Sequence, residues 1–543
     1  MAALIDSYLA LTASAQLSLG LYLACAALLS VYGAHRIVLL GLYFRHRGSR
    51  APELSCQSTA LSAEVLIQLP IYNERHVAER LIDAVAALEW PRNKLKVQVL
   101  DDSNDETLEI VSQRCAMYAA KGLHIEHICR NNRQGFKAGA LNHGLSIDKA
   151  GTPFVAIFDA DFIPGADFLQ RTIPALIEQP KVGMIQCRWE HLNREQNLLT
   201  RLEAILLDGH FVLEHSARYR SGRFFNFNGT AGVWRREAIE GSGGWTGDTL
   251  CEDLDLSYRA QLKGWSFIYL QDAAVPAELP AELCAFKTQQ HRWAKGSIQT
   301  ALKLLPQLLG SRLPLRCRTE AVFHLCGNLA YPVMALLLLL LPITLHTRMA
   351  LGEGWGLWID LPIFICATAN LLLFYAMAEI ELGDGKWPRR LHLLPLVLAL
   401  GVGLTVNNSR AVWEALRGTY SPFVRTPKAG AVTTHGYARR AGLQAWAELS
   451  LAFYYVAAMA LAAHQGLWHA LPFLALFCFG FSFVGAGSLK EQGQQAQLAK
   501  LTVPSTKPGS ALHKQATAPS PAPARGHPQA GRSKRDRQRA ADY

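Results

Sequence analysis

Residues 154–161 read Phe154-Val-Ala-Ile-Phe-Asp159-Ala160-Asp161. An apolar run of this length suits a fully buried strand and is too short for a helix, and it ends on two carboxylates one residue apart. The pattern recurs upstream, where Val65 to Leu69 is a second such run and Val97 to Leu100 leads into Asp101 and Asp102. In open α/β sheets ligands sit beyond the carboxyl ends of the strands, so these acids are expected to converge on one site. Helical spacing over Glu74 to Leu88 and Ala138 to Ile147 fills the intervals. Residues 60–296 therefore predict an α/β nucleotide-binding domain.

Outward from this domain the composition changes. Half of the 543 residues are apolar, and the excess is concentrated on either side of the domain. Membrane helices are predicted at about 17–44, 321–346, 357–380, 443–463 and 467–485, with Ser297 to Leu309 as an amphipathic interface helix. Leu391 to Val406 is short and prolyl and is read as interfacial or re-entrant. The first run lacks a cleavage signature, so it predicts a retained span. Arg45, Arg47 and Arg50 after it, and Lys386, Arg389 and Arg390 later, place the central domain in the cytosol by the positive-inside tendency. The expected organisation is thus 1–50, an N-terminal span with its basic flank; 60–296, the catalytic domain; 297–489, interface helices and membrane bundle; and 490–543, a disordered basic tail.

The net charge of +11 invites a nucleic-acid partner, but Lys490 to Tyr543 alone carries ten basic and three acidic residues. That tail has almost no large apolar residues and is read as a topology and lipid-surface anchor, so membrane lipids are expected partners and nucleic acid is not. Eleven scattered cysteines with no C-x-x-C pair argue against a disulfide framework and a structural zinc site.

Aspartate pairs are common in turns. Together, however, the D-x-D spacing at a strand end lets two carboxylates meet one hard divalent cation, Mn²⁺ or Mg²⁺, that neutralises a sugar diphosphate. Cys251-Glu252-Asp253 precedes the periodic stretch Leu254 to Leu262, so its acids stand at a helix start. There they complement the helix dipole or, near a metal site, supply a base for an incoming hydroxyl. Gln289-Gln-His-Arg292-Trp293 offers an amide, a guanidinium that forks onto phosphate and a flat indole for a sugar ring, with His291 read as structural.

The set Asp101/Asp102, Asp159-Ala160-Asp161, Glu252-Asp253 and Gln289-x-x-Arg292-Trp293 resembles the D, DxD, ED, QxxRW signature of processive family-2 glycosyltransferases, the cellulose, mannan and hyaluronan synthase superfamily. The strings Gln68-Leu-Pro-Ile-Tyr-Asn-Glu74, Lys137-Ala-Gly-Ala-Leu-Asn142, Gln186-Cys-Arg-Trp189 and Asn228-Gly-Thr-Ala-Gly232 are similar to plant-type mannan and glucan synthase-like proteins. The resemblance covers about Ser62 to Lys428.

It implies a GT-A-like cytosolic domain inserted in an α-helical transmembrane bundle of the inner or plasma membrane. The implied activity is an inverting hexosyltransferase that polymerises a hexose from a nucleoside-diphosphate sugar, of UDP-glucose or GDP-mannose type, onto a growing β-linked polysaccharide and passes the polymer across the membrane. By the same resemblance Asp101, Asp102, Lys137, Asp159, Gln289 and Arg292 bind the donor, and Asp159 and Asp161 hold the metal. Asp253, with Glu252 beside it, is catalytic, and Trp293, Gly229 and Thr230 meet the acceptor.

Phe423-Val-Arg-Thr-Pro-Lys428 resembles an F-x-V-T-x-K gating loop within about 418–430, with Phe423, Thr426 and Lys428 matching and Arg425 in place of Val. Cys251 stands where many relatives carry Thr. The alternatives are transfer of a single sugar to a polyprenyl phosphate or other lipid, and an inactive membrane scaffold.

Overall fold

The computed structural model describes residues 11–48, 62–349, 351, 361–421 and 435–502. Phe423, Thr426 and Lys428 of the expected gating loop, and the tail beyond 502, lie outside the described residues.

The helix α1 (Ala13–His46) leads to a sheet of seven strands. These are β1 (Val65–Ile71), β2 (Leu95–Asp101), β3 (His124–Cys129), β4 (Phe154–Ile157), β5 (Val182–His191), β6 (Gly232–Arg235) and β7 (Ser266–Ala277). Their order is β3-β2-β1-β4-β6-β5-β7. β1 pairs in parallel with both β2 and β4, and β2 with β3, so the carboxyl ends of β1, β2 and β4 share one edge of the domain. β6 runs antiparallel to β4 with Gly232 opposite Ile157, which brings the residues entering β6 to that same edge. The strands are apolar on both faces because helices cover both, as parallel sheets require.

A pair of buried polar side chains inside the core sets the position of a site element. Gln68 and Gln98 face each other across β1 and β2, joined by a 3.1 Å hydrogen bond from Gln68 Nε2 to Gln98 Oε1. Gln68 also donates to the Leu141 carbonyl (3.2 Å) and Gln98 to the Gly144 carbonyl (3.0 Å), so the pair clamps helix α2 (Phe136–Ile147) onto the sheet. A Cβ at Gly144 would lie 2.4 Å from Gln68 Nε2, so only glycine permits this approach. The clamp fixes the middle of α2, whose first turn carries Lys137.

Helix α3 (Glu252–Leu262) begins with the two acids. The next helix, α4 (Leu283–Gly310), is continuous through Gln289 to Trp293 and onward past Ser297. A separate interface helix starting at Ser297 was expected; instead the boundary at 296 falls inside α4. Gly296 does not end the helix: lacking a side chain, it lets α4 pack closely against Cys251, whose Sγ would lie 2.3 Å from a Cβ there.

Among the described residues, five helical segments are long and apolar enough to cross a membrane: Ala13–His46, Leu315–Leu345, Leu361–Glu381, Gly442–His464 and Trp468–Gln497. They coincide with the five expected spans. Trp387–Gly403 and Thr405–Leu416 form a pair bent by 44°, a broken span or re-entrant loop, over the prolyl run read as re-entrant. The last helix continues to Thr502, beyond the limit that composition set at 490.

The bundle grips the catalytic domain through ionic contacts. Arg36 of α1 pairs with Glu214, and Glu320 receives His35 (3.1 Å) and Arg218 (2.9 Å). Within α4, Lys287 lies 2.6 Å from Glu448 of α6 (His435–His464), where both side chains are buried, and Asn407 of α5 (Thr405–Leu416) donates to the Lys287 carbonyl at 2.9 Å. Removing one member of a buried pair strands the other charge. Glu448→Ala is therefore expected to destabilise the folded protein by about 3–5 kcal/mol, seen as earlier thermal aggregation of the detergent-solubilised chain, whereas exchanging both for apolar residues costs much less.

Candidate active site

All the sequence candidates within the described residues, except Asp101 and Thr230, line the same cavity at the shared strand edge. At its β2 side, Asp102 is held by Arg130, whose Nε donates to Oδ1 at 2.8 Å while a second guanidinium nitrogen reaches Oδ2. Asp101, adjacent in sequence, alternates to the other face of the strand. It is buried beneath the site, accepting from His127 at 2.9 Å and from the Ser103 amide at 2.9 Å. The loops after β1 and β2 are locked together: Asn73 Nδ2 donates to Asn104 Oδ1 at 2.9 Å, the Asn104 backbone amide donates to Asn73 Oδ1 at 3.0 Å, and the Asn73 backbone amide donates to Ser103 Oγ at 2.8 Å.

At the centre, Lys137 Nζ donates to Asp159 Oδ1 at 2.5 Å and to the Gly229 carbonyl at 2.8 Å. Burial opposes the charge on Lys137, but Asp159, Glu252 and Asp253 outweigh it and raise its pKa. Thr230 does not face the cavity; its hydroxyl accepts the Asp159 amide at 2.9 Å, while the Ala231 amide donates to the Ile157 carbonyl at 3.0 Å. Thr230 thus holds the turn after β4 rather than an acceptor. Gly229 has φ +83°, and a Cβ there would meet Asp253 Oδ2 at 3.0 Å and Lys137 Nζ at 3.3 Å. Backbone conformation and space both demand glycine.

Asp253 stands at the start of α3, with its own Oδ1 accepting the Leu254 amide at 2.8 Å. Its carboxyl is pushed up to about 7, first by burial and then by the neighbouring negative charge of Glu252, against the pull of Lys137. A carboxylate poised near neutrality beside a cavity is suited to accept a proton.

Gln289, Arg292 and Trp293 line the third wall from α4. Their i, i+3, i+4 spacing puts them on one face of the helix. Gln289 is buried, and its Oε1 has no partner among the described residues. Trp293 packs between the sheet core and the cluster around Leu254 and Tyr258. The opposite side of α4 is anchored: Glu491 of α7 (Leu471–Thr502) accepts the Leu283 and Cys284 amides at 2.7 and 2.8 Å, and Glu414 of α5 pairs with His291 at 3.3 Å and Lys295 at 3.1 Å. His291, expected to be structural, faces Glu414 and does not line the cavity.

The sequence reading missed Arg130, Arg133 and Tyr72. Arg133 stacks on Tyr72, its guanidinium carbon 3.3 Å from the ring centroid, and both line the cavity. The signal was the basic pair Arg130 and Arg133 just before Lys137, after a strand.

The sequence profile of the family described as "Glycosyltransferase like family 2" matches residues 63–296. Glucomannan 4-beta-mannosyltransferase 9 of Arabidopsis thaliana is 35% identical over 377 residues, which cover 68% of this chain and 68% of that one. Glucomannan 4-beta-mannosyltransferase 1 of Cyamopsis tetragonoloba is 45% identical over 262 residues, 48% of this chain and 50% of its own, so the match spans about half of that relative's length. Among solved structures, the mannosyltransferase PcManGT from Pyrobaculum calidifontis in complex with GDP-Man and Mn²⁺ superposes with a TM-score of 0.47 at 22% identity, over 67% of this chain and 99% of that chain.

Proposed function

Since the chain belongs to the glycosyltransferase-like family 2, we propose that it polymerises a hexose from a nucleoside-diphosphate sugar into a β-linked polysaccharide. The transfer inverts the anomeric centre and takes place at the cytosolic face. The names of the relatives make a mannosyl donor the first choice. One observation carries the reading: a single cavity collects carboxylates for a cation, basic groups for a diphosphate, a carboxylate raised toward neutrality and an indole on a helix that is ion-paired to Glu448 of an apolar span.

Asp159 and Asp161 offer oxygen donors only, a set that fits a hard cation such as Mn²⁺ or Mg²⁺. When bound, such an ion neutralises the diphosphate leaving group. Lys137, Arg292 and Gln289 hold the diphosphate and orient the donor. Asp253 takes the proton of the acceptor hydroxyl as it attacks the anomeric carbon. Trp293 stacks the acceptor sugar so that this hydroxyl faces the donor.

The test is a donor panel, GDP-mannose and UDP-glucose among others, on purified membranes, with product sizing and linkage analysis. A β-linked polymer supports the proposal. A single sugar on a lipid would move the assignment to the lipid transferases, and no donor-dependent release of nucleoside diphosphate would leave a binding scaffold.

Trp293→Ala separates stacking from chemistry. Losing the indole face is expected to slow elongation by about tenfold or more, the worth of roughly 1.4 kcal/mol, while hydrolysis of the donor by water is less affected. Equal loss of both in a side-by-side assay would remove the acceptor role.

A further inference from the structure

A second group of ligating side chains lies at the sheet edge, outside the cavity. β3 is an edge strand, and its two-residue alternation puts His127 and Cys129 on one face. In-register pairing sets Cys129 opposite Asp101, the last residue of β2. His127 Nε2 is 2.9 Å from Asp101 Oδ2 and 3.4 Å from Cys129 Sγ, and one ligand atom from each of the three residues lies within 4.8 Å of the others. Asp101 is buried, His127 half-buried and Cys129 exposed, so the group opens to solvent on one side. The Ser103 amide holds Asp101 Oδ1 at 2.9 Å and turns Oδ2 toward the histidine.

We propose that Asp101, His127 and Cys129 form a binding site for a borderline-soft divalent cation of the Zn²⁺ type, with solvent in the fourth position. Thiolate, imidazole and carboxylate make a zinc donor set, in contrast to the all-oxygen pair Asp159 and Asp161. Zinc bonds of about 2.0–2.3 Å place tetrahedral ligand atoms roughly 3.3–3.8 Å apart. Closing the present triangle onto an ion therefore needs shifts of about 1 Å or less, within the reach of side-chain rotation on an edge strand. Binding releases the thiol proton of Cys129 to solvent, together with the proton between His127 and Asp101 if the imidazole carries it on Nε2. The cation would sit one residue from Asp102 and tie the donor end of the cavity to the sheet edge. The sequence holds only a His-x-Cys pair, which is no zinc signature; strand register supplies the third ligand.

The experiment uses the full-length protein in detergent, stripped with chelator and titrated with Zn²⁺ alone. Alkylation of Cys129 by a maleimide is followed by peptide mass spectrometry. Because the free thiolate is the reactive species, Zn²⁺ is expected to slow modification of Cys129 by about tenfold or more, while Mg²⁺ gives no protection. His127→Gln should lose the protection at Zn²⁺ concentrations that shield the unmodified protein. An unchanged alkylation rate in saturating Zn²⁺ overturns the site without need of any variant, and so does protection with the same Zn²⁺ dependence in His127→Gln. Neither readout depends on sugar transfer.

Discussion

Asp253→Asn is expected to lower polymer formation by about 10²- to 10⁴-fold, the usual loss for a general base, with donor binding largely kept. Asparagine preserves size and keeps the oxygen that accepts the Leu254 amide, so packing at the start of α3 survives and only the proton acceptor is lost. The pH profile adds a second readout. Burial and Glu252 favour the neutral acid and raise the Asp253 carboxyl to about 7, so the base is mostly protonated below that pH and ionised above it. kcat/KM, which reports the free enzyme, should therefore rise with pH through this region, and the limb should be absent from the residual activity of Asp253→Asn. A variant that polymerises at the wild-type rate would pass the role to Glu252, which is buried in the same helix turn.

Loss of the cation is expected to cost at least as much. Chelation should abolish turnover and Mn²⁺ or Mg²⁺ should restore it, because an unneutralised diphosphate is a poor leaving group and metal stabilisation of that charge is worth several kcal/mol, about 10³-fold or more in rate. Asp161→Asn should show a smaller loss, partly rescued by high metal concentration, since Asp159 remains. Asp159→Asn is predicted to differ: its carboxylate also holds Lys137 at 2.5 Å, so that substitution frees the ammonium and should weaken donor binding as well. Full activity in chelator would remove the metal assignment while leaving that of Asp253 intact.

Much of this site was legible because its components are local. A strand that ends in Asp-Ala-Asp, acids at a helix start, and Gln289, Arg292 and Trp293 on one helix face are each written within a few residues. Periodicity then predicts which way side chains point. The five apolar spans were legible for the same reason, since hydropathy is a property of a contiguous segment.

Other features depend on pairing between distant segments. Thr230 read as an acceptor contact, but antiparallel β6 brings it under the Asp159 amide, where its hydroxyl is spent on the backbone. Asp101 read as a donor ligand beside Asp102. Strand alternation sends it to the opposite face, and the register with β3 gives it His127. The boundary at 296 came from a change in composition, yet α4 crosses it, held by Glu448, Glu491 and Glu414 from helices more than a hundred residues later. The sequence by itself determined the α/β domain, the apolar spans and the charged and polar motif residues that meet at the cavity, because local periodicity and strand-end chemistry encode them. Tertiary structure alone decided which neighbouring aspartate faces the cavity, what Thr230 holds and whether a histidine and a cysteine share a carboxylate, because register and long-range ion pairing are fixed by contacts that no local window of sequence contains.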